Sequence, residues 1–342
     1  GQGRGRARDS ARPCSAVGFF FGQKLLADLY MPVGHIEVAM GGTRDAGWMR
    51  RRAQGARRRV KLMVQGDWLQ NKSLEPWCRG RGASNLKRAL SAGDYIPGDD
   101  LGPNHSFKPA FMWDAALAPL RPLPLAGVLW YQGESNAESE WRVAQHDAVL
   151  STLITDWRAQ WKRPDLPFLF VQLPAMKRPH WPAFRASQQR VQDAFPHTGM
   201  AVTIDLGHPT DVHPRDKQPV GERLARLALA SVYGESPCGG GPRFESAERR
   251  GDSVMLRLAK GRHELRTSDE APPTGFEVRD RKGRWISAEA RIHEADTVML
   301  ISPLGQAVEA VRYAWTPYPE PRINLVGDAG LPVAPFEAEL SF

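Results

Sequence analysis

Cysteine is scarce in this chain. Cys14, Cys78 and Cys238 are the three among 342 residues, widely separated and odd in number, which excludes a disulfide framework and offers no metal-ligand spacing. Long apolar runs are missing as well. The longest, such as AVGFFFG at 16–22, fall well short of the roughly 18 to 20 residues that cross a bilayer as a helix, so no membrane partner is expected. There is no initiating Met, and GQGRGRARDSARPCS supplies the basic start of a secretory signal without its apolar stretch, so the lack of a signal says nothing about compartment. Acidic residues are the scarcer sign: 38 Asp and Glu face 46 Lys and Arg, a net charge of +8. Much of the excess is arginine in runs such as MRRRAQGARRRVK at 49–61, and no groove-reading motif accompanies it, so nucleic acid is not an expected partner. With 42% hydrophobic and 25% charged residues, what remains is a globular chain long enough for two domains.

What is present alternates. Ser15 to Tyr30 reads as a capped, buried helix, and VGHIEVAM at 33–40 as a strand running into Gly41-Gly42-Thr43. About 44–108 reads as an irregular insertion with short helical pieces such as NLKRAL. A short helix, FMWDAALAPL at 111–120, then feeds the apolar strand of GVLWYQGESNA at 127–137. Leu150, Leu153, Ile154, Trp157 and Trp161 recur at helical spacing. PFLFVQL at 167–173 is a strand, 183–194 a helix, GMAVTID at 199–205 a strand and about 216–232 a helix. Strands alternating with helices predict a parallel α/β sheet covered on both faces. Past SPCGGGP at 236–242 the runs become short and alternating, as in SVMLRL, FEVRD and TVMLIS, which predicts a small all-β domain. The expected division is 1–235 and 240–342.

Ligands of open α/β sheets sit at the carboxyl ends of the strands, and three such ends carry small or ionisable residues. Gly41-Gly42 brings backbone N–H groups to a ligand without a Cβ in the way. Gln132 and Asn136 offer side-chain amides to the same oxyanion, and Glu134 a carboxylate that orients neighbours or caps the next helix. After Asp205, His213 follows Asp211 in a loop before a helix, the position of a general base whose tautomer a carboxylate fixes. Each has a plainer reading: a turn for the glycines, a helix cap for Ser135 and Asn136, an Asx-turn for Asp211. His208, His105 and His146 read as loop or structural residues.

Together these stretches resemble the sialate O-acetylesterases, carbohydrate esterases of the SGNH hydrolase superfamily. GVLWYQGESNA is similar to that family's third block, AMGGTRDAGWM to its second and DVHPRDKQPVGERLA to its final His block. SAVGFFFGQKL, NHSFKPAFMWDAALAPL, WPAFRASQ, VRYAW and GLPVAPF extend the likeness over nearly all of 15–342. The resemblance implies a three-layer, flavodoxin-like parallel sheet followed by a β-sandwich-like domain. It implies His213 as general base, Asp211 as its orienting acid, and Gly42 with Gln132 or Asn136 as oxyanion donors. The implied partner is an O-acetylated sugar, above all O-acetylated sialic acid, with no metal or organic cofactor and a secreted or periplasmic location. Arg79 and Arg81 are candidates for a sugar carboxylate, or else solvated surface charge. Two other functions stay open: a sugar-binding or inert protein that keeps the pocket, and an acetyl esterase for plant polysaccharide of the xylan kind.

Two departures matter. Many relatives place an Asp three residues before the His, where this chain has Thr210; Asp211 lies two before. The family's Gly-Gln-Ser-Asn block, which carries the nucleophile after the first strand, has no counterpart here. Ser10 in RDSARP has no apolar strand before it to hold it rigid, and Ser15 reads as a helix cap. The expectation is therefore a sheet without its first, central strand, which would lie between 33–40 and 127–131, in a shortened copy of a longer protein.

Overall fold

The run Phe168–Val171 is apolar at every position, a pattern that only a strand covered on both faces can bury. In the computed structural model, which describes residues 14–55, 58–235, 239–258, 264–303 and 308–340, this run is the middle strand of a parallel sheet. In chain order the sheet region consists of α1 (Ala16–Leu29), α2 (Pro76–Ala92), β1 (Val128–Trp130), α3 (Glu140–Gln160), β2 (Phe168–Val171), α4 (Trp181–Ala194), β3 (Thr198–Ala201) and α5 (Gln218–Ser231). The strand order is β1–β2–β3, with Val128 opposite Phe168 and Phe168 opposite Thr198.

Alternate side chains of β2 serve opposite layers. Leu169 and Val171 pack with Phe21 and Leu25 of α1 and Val220, Leu224 and Ala228 of α5. Phe168 and Phe170 pack with Leu150, Leu153, Ile154 and Trp157 of α3 and Val191 of α4. The residues that gave α3 its helical period are those it buries; Trp161 lies partly buried at the rim of the same cluster. Ser15 caps α1 as its sequence suggests, its hydroxyl accepting from Gly18 N–H at 3.3 Å. The open α/β class is thus realised as helices on both faces of a three-stranded parallel sheet.

Two segments differ from expectation. Residues 33–40 form no strand: Ile36 and Met40 are exposed, Glu37 accepts from Ser15 N–H at 2.6 Å, and His35 leans on Phe21 of α1. A strand needs a neighbour to take its N–H and C=O groups, and among the described residues none runs beside this segment or along the outer edge of β1. Within 44–108, in contrast, there is more order than the sequence promised. α2 runs for 17 residues from Pro76 in its first turn to a left-handed Gly93. Its pattern was obscured by Gly80 and Gly82, and Gly82 is required because the ring of Trp68 occupies the space a Cβ would fill. Trp48, Met49, Val60, Met63, Trp68 and Leu74 join the main core. The segment is also pinned by charge: buried Lys108 meets Gly102 O and Asn104 Oδ1 at 3.0 Å and Asp99 at 2.7 Å, and Arg50 Nε meets Asp156 Oδ1 at 2.7 Å.

Downstream lie β4 (Ser246–Arg250), β5 (Ser253–Arg257), β6 (Phe276–Arg279), β7 (Trp285–Ser287), β8 (Glu289–Glu294), β9 (Thr297–Ile301), β10 (Ala310–Tyr313) and β11 (Phe336–Glu339). They form two antiparallel four-stranded sheets, ordered β7–β6–β10–β11 and β8–β9–β5–β4. Val254, Leu256, Val298 and Leu300 of one sheet and Phe276, Val278, Val311 and Tyr313 of the other are buried in one core. Wholly buried Arg185 of α4 ties this region to the parallel sheet. Its Nε donates to Leu173 O at 2.9 Å, Nη1 to Thr316 O at 2.9 Å, and Nη2 to Pro174 O at 3.1 Å and Pro317 O at 2.8 Å. Among the described residues no helix is long and apolar enough to cross a membrane.

Candidate active site

At the carboxyl end of β1 the chain must turn sharply over α4. Gly133, at φ +147°, makes the turn possible: a Cβ there would stand 2.5 Å from the ring of Phe184. The turn closes with the N–H groups of Asn136 and Ala137 both donating to Gly133 O at 2.9 Å. Alongside it, Gly42 holds φ +76° with Phe107 3.3 Å from its missing Cβ, and Thr43 is fixed by its hydroxyl donating to Met40 O at 2.7 Å and accepting from Trp48 Nε1 at 3.0 Å.

These two turns are joined through one amide. Gln132 Nε2 donates to Thr43 O at 3.2 Å and to Asn136 Oδ1 at 2.7 Å. A carbonyl can only accept, so Thr43 O fixes which end of the Gln132 amide is nitrogen. That in turn draws the oxygen of Asn136 toward Gln132 and leaves the Asn136 NH2 unspent among the described residues. Sequence left Gln132 and Asn136 as equal candidates; here Gln132 has committed its donors and Asn136 retains its own. The oxygen of Gln132 is buried without a partner.

His213 stands exposed on the loop before α5, with Val212 packed on the cluster of Leu173, Trp181 and Phe184. Asp211 Oδ1 accepts from His213 N–H at 2.8 Å, the Asx-turn geometry, and the imidazole itself makes no hydrogen bond among the described residues. His208 is spent on the loop, its Nδ1 accepting from Asp211 N–H at 2.9 Å. Glu134 lies within electrostatic reach of His213 and Lys217. Burial pushes its carboxyl above the usual range, opposed by Lys217 and His213. Burial likewise pushes Lys217 down, opposed by Glu134 and Asp211, and the ammonium sits 4.9 Å from the centre of the Tyr131 ring. Gly42, Gln132, Glu134 and Asn136 are thus in one place, with His213 beside Glu134. Ser10 lies outside the described residues, as does Cys238. Among the described residues no group of three or more His, Cys, Asp and Glu is arranged to hold a metal ion.

Sequence gave no hint of a second, buried polar cluster under this site. His146 of α3 is bonded through Nδ1 to Ser187 Oγ at 2.6 Å and has Nε2 3.9 Å from Asp45 Oδ2. Burial pushes His146 down to about 3, and Arg190 adds to the effect. Burial pushes Asp45 up to about 7 against Arg44, with Glu134 reinforcing the rise and Arg142 opposing it. Residues 45, 146 and 187 share no spacing that could have joined them. Arg44 is 6% exposed, and its Nε, Nη1 and Nη2 all lack partners. It stands at the start of the stretch read as an irregular insertion; its place directly after Gly-Gly-Thr was the usable sign. Of the two arginines singled out earlier, Arg79 spends Nε on Leu74 O at 3.2 Å and Arg81 is exposed.

The model of a family described as "Carbohydrate esterase, sialic acid-specific acetylesterase" matches residues 110–230, the stretch from the Phe111 helix through α5. A carbohydrate acetylesterase from Xanthomonas citri superposes with a TM-score of 0.74 at 30% identity, covering 94% of this chain and 65% of that one. The fold is thus shared with a carbohydrate acetylesterase. The sialate O-acetylesterase of Rattus norvegicus is 30% identical over 336 residues, 89% of this chain and 59% of the relative, and that of Homo sapiens is 29% identical over 334 residues, 89% and 56%. Over the stretch they share, the chain is similar to the sialate O-acetylesterases. It spans 56 to 64% of the length of the curated relatives it matches.

Proposed function

We propose that this chain carries the site of an esterase that removes acetyl groups from O-acetylated sialic acid. The observation that carries the reading is the Thr43–Gln132–Asn136 relay, which leaves an unspent amide donor beside the Gly42 turn. In the reaction a serine hydroxyl attacks the acetyl carbonyl while His213 takes its proton. The oxyanion accepts from Gly42 N–H and Asn136 Nδ2, which act from a preorganised frame. The sugar oxygen leaves with the proton from His213, and water then releases acetate by the same route in reverse. Asp211 holds the loop that presents the imidazole, and Glu134 supplies negative charge that favours the imidazolium. No metal or organic cofactor enters this scheme. The reading carries with it a secreted or periplasmic location, which rests on the resemblance alone.

One observation favours a second reading, a sugar-binding protein without turnover: among the described residues no serine hydroxyl is bonded to the His213 imidazole. Hydrolysis of a chromogenic acetate ester separates the two. The esterase reading expects turnover that falls at least about a hundredfold in His213→Ala. Turnover indifferent to that substitution refutes the role of His213, and sugar binding without turnover selects the second reading.

A further inference from the structure

We propose that Arg44 is the specificity-determining residue of this site, receiving the carboxylate of the substrate; the proposal rests on the sialic acid reading above. A guanidinium carries five N–H donors in a fixed fork, and a buried one is ordinarily matched by carbonyls or carboxylates. Arg44 is buried with every nitrogen unmatched. Its position ties it to the site from both sides. Thr43, next to it in the chain, bonds Gln132, and Glu138, two residues beyond Asn136, is among the charges that act on it. The guanidinium lies 5.8 Å from the centre of the Trp77 ring; Trp77 meets Phe107 edge to face at 5.5 Å, and Phe107 covers Gly42. Arg44 therefore sits behind the same aromatic wall that borders the oxyanion turn.

The charges around it leave the guanidinium without a paired anion. Arg142, a second guanidinium, opposes Arg44 and is already bonded to Glu75 and, at 3.1 Å, to Ser73 O. Glu138 is exposed, and neither it nor Asp45 is hydrogen-bonded to Arg44. Cys78 is a thiol pushed up to about 11, chiefly by burial, and supplies no charge at neutral pH. Asp45, held up to about 7, is a weak counter-ion. Of the two guanidiniums, Arg142 is thus engaged by a carboxylate and Arg44 by none. A ligand carboxylate, with two oxygens matching the fork, supplies the missing acceptors. A sialic acid brings such a group on the same molecule as its acetyl esters; a neutral acetylated polysaccharide does not.

The test compares N-acetylneuraminic acid with its methyl ester as ligands, by titration calorimetry. Wild-type protein is expected to bind the acid about tenfold tighter than the ester, with the ratio falling to near one in Arg44→Gln and recovering in part in Arg44→Lys. Equal binding of both probes by the wild type, binding of neither, or a ratio that survives Arg44→Gln overturns the proposal, and the wild-type comparison decides even if a variant does not fold. Acetate release from an O-acetylated sialic acid and from its methyl ester separates this proposal from the one it rests on. Equal kcat/KM for the two leaves the esterase reading standing and Arg44 refuted. Selective binding of the acid with no acetate release leaves Arg44 standing and the esterase reading of this chain refuted.

Discussion

Arg185 and Arg44 are both buried guanidiniums at the carboxyl end of the same sheet, and they are opposites. Arg185 meets four carbonyl oxygens and joins α4 to the loop at Thr316 and Pro317. Arg44 meets none. Burial lowers both, Arg185 to about 9 and Arg44 to about 10, the latter helped by Arg142. The difference teaches that burial alone does not mark a structural charge. What marks it is whether each donor has been given an acceptor, because an unmet buried donor costs about 1 to 3 kcal/mol that the fold must recover elsewhere.

Three measurements press on that contrast. The largest effect is expected from Arg185→Met, which strands the carbonyls of Leu173 and Thr316 and takes one of two donors from those of Pro174 and Pro317; urea unfolding should show a loss of about 3 to 5 kcal/mol. A loss below about 1 kcal/mol would mean that the four bonds do not hold the two regions together.

The second concerns the buried pair beneath Arg44. His146, lowered to about 3 from 6.5, binds a proton in the unfolded chain but not in the folded one between those values, so its contribution to stability grows as pH rises through that window. Asp45, raised to about 7 from 3.8, holds a proton in the folded chain that the unfolded chain has lost, so its contribution shrinks as pH rises. Between about pH 4 and 6.5 the two slopes oppose each other and this pair should leave stability nearly level. Asp45→Asn should expose the His146 slope, with stability falling by about 1.4 kcal/mol per unit as pH drops through the window, and His146→Gln should expose the reverse. Identical pH profiles for wild type and both variants would show that neither group is held as its burial demands.

The smallest effect is expected from Arg44→Met, a change of less than about 1 kcal/mol in either direction, because removing an unmatched charge relieves as much as it loosens. A destabilisation as large as that of Arg185→Met would erase the contrast and make Arg44 a structural residue.

Much of this was written in the sequence. The unbroken apolar run Phe168–Val171 and the helical spacing of Leu150, Leu153, Ile154 and Trp157 act over a few residues, so the sheet and its layers could be read directly. The segment 33–40 also reads locally as a strand and fails, since a strand depends on a neighbour that local pattern does not contain. α2 was hidden by a glycine that answers to Trp68 rather than to helix propensity. In the site, Gln132 and Asn136 stood out as polar residues at a strand end. Which of them keeps a free donor was not legible, because the answer is dictated by the carbonyl of Thr43, 89 residues away from Gln132. Asp45, His146 and Ser187 meet only through the packing of α3 and α4 against the loop after Thr43.

The grip of Arg185 on Thr316 and Pro317 has a practical side. Met176, just past the end of β2, also donates its N–H to Pro317 O at 2.9 Å. A protein engineer who cuts the chain near Pro242 to obtain a minimal catalyst would remove the acceptors of Arg185 Nη1 and Met176 N–H and half of those of Nη2. The β-rich half is therefore no detachable appendage, and shortening should begin instead with exposed turns such as Arg281–Gly283, whose loss unseats no buried cation.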